Sequence, residues 1–336
     1  MARSRDKARV TIADVATQAG VSRATVSRVM NGLPTVDREI SERVLKAAER
    51  LNYTPSAAAR SLALGRTHTI GYIVPDLTNP AFHGAMRGLS LAAAKENYRV
   101  LVADTAERVE EEAILAVESR RRCDALVLVA PRMPEEELRR LLPELAPVVL
   151  LNREPTDDSS PLLGIDWASG IRDLVRHLTG LGHRRIAYLA GPPISASNAA
   201  RLRGFESFAD TIELVSIPCG AMFSDGHAAA GEVLDSGATA VIAFNDVVAL
   251  GLLGALHELG VEVPDRLSVA GFDDIPFAKF TSPALTTASV PQLELGELAW
   301  ESLRAMLNGE KPQRSAMFRP RLVARSSTAR VSTAGN

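Results

Sequence analysis

Apolar positions recur with two different periods along this chain, and the change of period divides it. From Ile12 to Leu51 the spacing is helical: Ile12, Val15, Ala16 and Ala19, then Val26, Val29 and Met30, then Ile40, Val44, Ala47 and Leu51. Thr11, with Asp14 three residues on, has the form of a capping box, and Ser22 can cap a second helix. Gly20 between them can end the first helix in the left-handed conformation. The pattern predicts three short helices, the third from about Asp37 to Leu51, closing a small core. The second, over residues 23–31, leaves Arg23, Ala24, Ser27 and Arg28 on its free face. Two short helices joined by a glycine turn, the second polar and basic outside, form a helix-turn-helix whose second helix suits a DNA major groove. Arginine there can read O6 and N7 of guanine.

Beyond Thr69 the rhythm becomes one of short apolar runs separated by helical stretches. Strands are predicted at residues 70–74, 99–103, 125–129 and 148–151, then at 163–165, 185–189, 240–244 and 267–270. Helices fill most gaps, as at 80–97, 109–121 and 246–259. This alternation predicts an α/β class, with parallel sheets covered on both faces and length enough for two lobes. Between the two regimes, Pro55 and an alanine-rich run read as a helix too short to be stable alone. The predicted division is a headpiece over 1–54, a hinge over 55–67 and a two-lobed core over 68–336.

Charge sharpens that division. The net charge is -2, yet residues 1–66 hold 12 Lys and Arg against 6 Asp and Glu, a net +6. Of the totals of 38 basic and 40 acidic residues, 26 and 34 remain for the rest, a net -8. A basic end on an acidic body suits a polyanionic partner for the N-terminal part. The two cysteines, Cys123 and Cys219, give neither a disulfide framework nor zinc spacing. No apolar run is long enough to span a membrane and no signal core follows the basic start, so a cytoplasmic protein is expected.

The headpiece motif is specific. The run from Val10 to Ala16, then Ala19-Gly20-Val21-Ser22, then Thr25-Val26-Ser27-Arg28-Val29 and Asn31-Gly32 resembles the lactose-repressor (LacI/GalR) family. The resemblance implies base-edge contacts by Arg23, Ala24 and Arg28, and phosphate contacts by Ser22, Thr25 and Asn31. Arg23 and Arg28 can alternatively form surface ion pairs. The resemblance also implies that the segment after Pro55 is a hinge helix entering the minor groove. Leu62 would then be the wedge that kinks the duplex, with Ala59 and Ala63 lining the groove. Leu62 packed on its own core is the alternative.

The core resembles the family's periplasmic-binding-protein-like body, two lobes joined by three crossovers around a ligand cleft. That implies effector contacts by Asp76, Asn79 and Phe82 after the first strand, and by Trp167, Arg201, Phe223, Asn245 and Asp273. Asn245 can equally cap the following helix, and Trp167 can either stack on a ligand or cover the lobe junction. Phe82 and Phe223 can be plain core residues. The stretch from Phe208 to Phe223 is shorter than in the family, which loosens the match at Phe223.

The implied function is a sequence-specific transcriptional regulator, a repressor acting as a homodimer on palindromic double-stranded operator DNA. A small-molecule effector between the lobes would control it, a sugar first and a nucleobase second. No P-loop, GxGxxG fingerprint, GxSxG elbow or HExxH motif occurs, so neither an enzyme nor a cofactor or metal is expected. Histidines His83, His177, His183, His227 and His257 lack metal-ligand spacing.

Overall fold

The computed structural model describes residues 10–32, 35–54, 65–153, 160–312 and 315–331. Two compact units meet between His68 and Thr69. The first contains α1 (Ile12–Ala19), α2 (Arg23–Met30) and α3 (Arg38–Arg50). The Asp14 carboxylate takes the Thr11 backbone N–H at 2.8 Å, which holds its pKa below the usual carboxylate range. Gly20 ends α1 at φ 65°, a conformation that favours glycine. Val15, Val26 and Val44, one from each helix, are fully buried and make the centre of the core. Val29 and Met30 were expected in the stripe beside Val26, but they are only partly buried at its edge.

The second unit has two six-stranded sheets. The first contains β1 (Thr69–Val74), β2 (Arg99–Asp104), β3 (Ala125–Val129), β4 (Val148–Leu151), β5 (Leu162–Ile165) and, from late in the chain, β11 (Ala316–Phe318). Its order is β11-β5-β4-β3-β1-β2, with every neighbouring pair parallel. The second contains β6 (Arg185–Ala190), β7 (Glu213–Pro218), β8 (Ala240–Ala243), β9 (Ser268–Asp273), β10 (Thr286–Ser289) and β12 (Arg321–Val323). Its order is β12-β10-β9-β8-β6-β7, with only β12 antiparallel. Strands β3, β4 and β8 are buried at every position, as expected of a parallel sheet covered on both faces.

The covering helices are α4 (Ala81–Ala94), α5 (Val109–Arg120), α6 (Glu135–Leu145), α7 (Trp167–Gly180) and α8 (Ala196–Glu206). They are followed by α9 (Phe223–Ala228), α10 (Ala230–Asp235), α11 (Asp246–Glu258) and α12 (Gln292–Leu307). Helix α12 belongs to the first lobe, where it packs on α4. The approach is close because glycines meet backbone: a Cβ on Gly296 would stand 1.9 Å from the Ala85 carbonyl oxygen. The chain therefore crosses between lobes three times, after β5, after β10 and after β11. Four strands, β7, β10, β11 and β12, were not expected from the sequence. They are short or lie at sheet edges, and β7 and β10 carry too many polar residues to give an apolar run.

Candidate DNA-reading face and effector cleft

On α2 the Ser22 hydroxyl accepts the Thr25 backbone N–H at 3.1 Å, so Ser22 is the N-cap expected of it. Ser22, Arg23, Ala24 and Arg28 are exposed, and Thr25 and Asn31 are half-buried at the flank. Among the described residues neither Arg23 nor Arg28 has an ion-pair partner. The face thus presents two exposed cations, Arg23 in the first turn, where backbone N–H groups favour a phosphate, and Arg28 in the last. Ala59, Leu62 and Ala63 lie outside the described residues.

In the second unit the carboxyl ends of the strands in both lobes face one cavity, the place where open α/β sheets take ligands. The first lobe contributes Asp76, Asn79 and Phe82 after β1, Glu107 after β2, Arg132 after β3 and Asn152 after β4. Trp167, Arg201, Asn245 and Asp273 line it from the second lobe, with Gln292 at a crossover. The cavity measures about 30 Å³, room for water but not for a sugar unless its walls move.

Arg201 is its centre. The side chain is 2% exposed, and its guanidinium carbon lies 4.1 Å from the Trp167 ring and 4.4 Å from those of Phe244 and Phe272. Nη1 donates to the Ser197 carbonyl at 3.2 Å, Nη2 stands 4.0 Å from Asp273, and Nε has no partner. Burial lowers the Arg201 pKa, yet a guanidinium keeps its proton in such surroundings. Trp167 lines the cavity with Arg201 over its ring and Phe272 packed against it at 5.3 Å.

Burial pushes the Asp273 carboxyl up to about 7, and the neighbouring Arg201 opposes that rise. Asp273 sits at φ 107°, a strained conformation for a residue with a side chain. Glu107, Ala130 and Asn152, which also line the cavity, have left-handed backbones too. Asp246 is wholly buried and raised well above its ordinary value, first by burial and then by the Asp273 charge. It accepts from Thr287 Oγ1 at 2.6 Å and from the Ile275 N–H at 2.8 Å, tying the start of α11 to β10 and to the loop after β9.

Asn245 lines the cavity but spends its amide locally. Its oxygen caps α11 through the Val248 N–H at 2.8 Å, and its nitrogen donates to the Ala221 carbonyl at 3.1 Å. Asp76 and Asn79 likewise accept from neighbours, Asp76 from the Thr78 N–H at 2.7 Å and Asn79 from the Ala81 N–H at 3.0 Å. Phe82 is buried against the first-lobe core and reaches the cavity edge.

Phe223 is a correction: it is half exposed and outside the cavity lining. Its carbonyl oxygen presses on α11, where a Cβ on Gly251 would stand 2.0 Å away, and its ring passes over Gly254. Ala221 and Phe244 line the cavity instead.

Sequence reasoning missed Arg132, Glu107, Asn152 and Gln292. The positions of Glu107, Arg132 and Asn152 just after β2, β3 and β4 were the available signal, whereas Gln292 follows β10, a strand the sequence does not predict. Asn152 Oδ1 and Gln292 Oε1, like Arg201 Nε, are buried without a partner. Among the described residues no cluster of three or more His, Cys, Asp or Glu side chains could hold a metal ion. No described helix is long and apolar enough to cross a membrane.

Comparison with known proteins agrees in both units. Residues 11–56 match the model of bacterial regulatory proteins of the lacI family, and residues 175–328 match a periplasmic binding protein-like domain. GalS of Salmonella typhimurium, an HTH-type transcriptional regulator, is 34% identical over 330 residues, 95% of this chain and 97% of its own. The lac repressor dimer bound to operator aligns with a TM-score of 0.82 at 28% identity, covering 95% of this chain and 99% of that one. A LacI-family regulator of Enterococcus faecium with bound ribose aligns at 0.71 and 30% identity, covering 79% and 100%. With its capped recognition helix, its two parallel-sheet lobes and these relatives along nearly its whole length, the chain belongs to the LacI family of DNA-binding transcriptional regulators.

Proposed function

We propose that this protein is a cytoplasmic repressor without catalytic turnover, binding palindromic operator DNA as a homodimer, and that a neutral sugar in the interlobe cavity sets its operator affinity. The observation that carries the ligand class is the set of partnerless polar atoms at the cavity: two acceptors, on Asn152 and Gln292, and one donor, on Arg201. A buried group left unsatisfied costs about 1–3 kcal/mol, which a ligand hydroxyl, at once donor and acceptor, relieves. The Asp273 carboxylate adds a further acceptor, and the ring of Phe82 adds apolar surface for the C–H face of a sugar. A nucleobase fits less well, because Arg201 covers the Trp167 ring that would stack on it.

On the DNA side, Arg23, Ala24 and Arg28 meet base edges while Ser22, Thr25 and Asn31 hold phosphates. Ala59, Leu62 and Ala63 enter the minor groove in this reading. A cavity of about 30 Å³ admits a sugar only when the lobes part, so the ligand distinguishes two lobe arrangements. That difference in affinity is what lets binding in the cleft alter binding to DNA.

The decisive experiment titrates purified protein calorimetrically with neutral mono- and disaccharides, D-ribose and cellobiose among them, and repeats operator binding with any that bind. A sugar whose binding changes operator affinity, and is lost in Arg201→Ala, supports the reading. Binding that survives Arg201→Ala places the effector elsewhere.

A further inference from the structure

Arg132 is an arginine in the cavity wall to which nothing so far has given a task. It is 7% exposed, on the opposite lobe from Arg201. Its Nε and Nη2 grip the two carboxylate oxygens of Glu107, each at 2.9 Å, and Nη1 donates to the Ala130 carbonyl at 3.0 Å. An arginine has five N–H donors, so two are left over in this arrangement.

The loop that carries it is fixed from both sides. The buried Glu112 carboxylate accepts the backbone N–H groups of Arg132 at 2.9 Å and Met133 at 2.6 Å. Arg153, next to Asn152, donates to the carbonyls of Pro131 at 2.6 Å and Met133 at 3.3 Å. Ala106, Glu107 and Ala130 all take left-handed backbone conformations around the pair, at φ 50°, 58° and 44°. Burying the Glu112 carboxylate costs solvation and raises its pKa. A buried charge, three strained residues and a bidentate pair all serve to hold one guanidinium still, and strain that clusters this way marks functional sites.

We infer that Arg132 is a specificity-determining residue of the cleft, donating its remaining N–H groups to a neutral oxygen of the sugar, with Glu107 and Glu112 as positioning residues. The inference rests on the interlobe cavity being the effector site, as proposed above. Glu107 fixes the chemical class. Its carboxylate balances the guanidinium, so Arg132 offers directed donors and little net field. A hydroxyl, ring or carbonyl oxygen suits such a group. A sugar acid would place its carboxylate near Glu107, Asp76 and Asp273.

Calorimetry on wild-type protein, Arg201→Ala, Arg132→Met, Arg132→Lys and Glu107→Gln separates the possibilities. The probes are D-ribose, D-galactose and cellobiose, the monodeoxy derivatives of whichever binds, and its sugar acid. Arg132→Met should weaken the sugar about 10- to 100-fold, the worth of a hydrogen bond to a charged group. It should also erase the preference over one monodeoxy derivative, which loss of packing alone would not do. Arg132→Lys should fall between wild type and Arg132→Met. Glu107→Gln should weaken binding less and leave the deoxy preference blurred, and the acid should bind wild type more weakly than the neutral sugar. If Arg132→Met does not fold, the lysine variant and Glu107→Gln carry the same comparison, each measured below its own melting transition.

Wild-type affinity and wild-type deoxy preference in the folded Arg132 variants, with binding lost in Arg201→Ala, would overturn the role of Arg132 and leave the cleft reading standing. Unchanged affinity in both Arg132→Met and Arg201→Ala would overturn the cleft reading itself. Tighter binding of the acid overturns the neutral class, and failure of every sugar to bind wild type overturns both inferences together.

Discussion

The protein uses arginine in two opposite settings. Arg23 and Arg28 on α2 stand in solvent with no ion-pair partner among the described residues. Arg132 and Arg201 are buried in the core unit, one against a carboxylate and the other among three aromatic rings. In solvent a guanidinium is already hydrated, so its cost is small and its worth depends on the partner it later meets. In the cavity, solvation has been given up at folding, and the side chain is stable only with the shell built around it. The first pair can be replaced with little harm to the fold. The second cannot, and the contrast can be pressed from its largest consequence to its smallest.

Arg201→Ala should be the most severe change. It removes a buried cation, empties the space between Trp167, Phe244 and Phe272, and leaves Asp273 without its neighbouring positive charge. Truncating one partner of a buried pair costs about 3–5 kcal/mol. A drop in denaturation midpoint together with loss of sugar binding is expected. Wild-type stability would show that the aromatic box closes over the gap.

Arg23→Ala should leave the melting temperature close to wild type while relaxing sequence choice. Discrimination at the base pair it meets should fall by roughly 10-fold or more, measured on base-substituted operators. A uniform loss across all sequences would make Arg23 a phosphate contact instead.

Asp273 supplies a pH signature that the exposed pair lacks. Its carboxyl titrates near 7 when folded and near 3.8 when unfolded, so the folded state holds the proton more tightly. Its contribution to unfolding free energy therefore falls as pH rises from about 4 to about 7 and is constant above. Asp273→Asn should remove that part of the slope, as seen in chemical denaturation at stepped pH.

Phe223→Ala should do least. The ring lies outside the cavity, so sugar affinity should change less than about two-fold, within the small range usual for surface sites. A larger loss would mean that opening the lobes brings α9 to the ligand.

What could be read in advance follows the same line between local and remote causes. Gly20, Ser22 and the helix boundaries of the headpiece were legible because capping and helical spacing are set within a few residues. Strands β3 and β4 were legible to the residue because a strand buried on both faces is an unbroken apolar run. Arg201 and Asp273 were legible only through a resemblance. Arg132 and Asn152 were not, since Ala130-Pro131-Arg132 and Leu151-Asn152-Arg153 carry no motif, and their chemistry arises from the strand ends that bring them to one cavity. Trp167 shows the limit from the other side: its motif is local, but the guanidinium that lies over its ring comes from 34 residues further along the chain.

By itself the sequence determined the three-helix headpiece, the α/β class of the core and a division of charge suited to DNA, because each is written in spacing, capping and composition. Tertiary structure alone decided which polar groups end up buried without partners and which arginine is held by which carboxylate. The reason is physical: desolvation is a property of surroundings, and the walls of this cavity come from segments scattered between Asp76 and Gln292 that meet only once both sheets have formed.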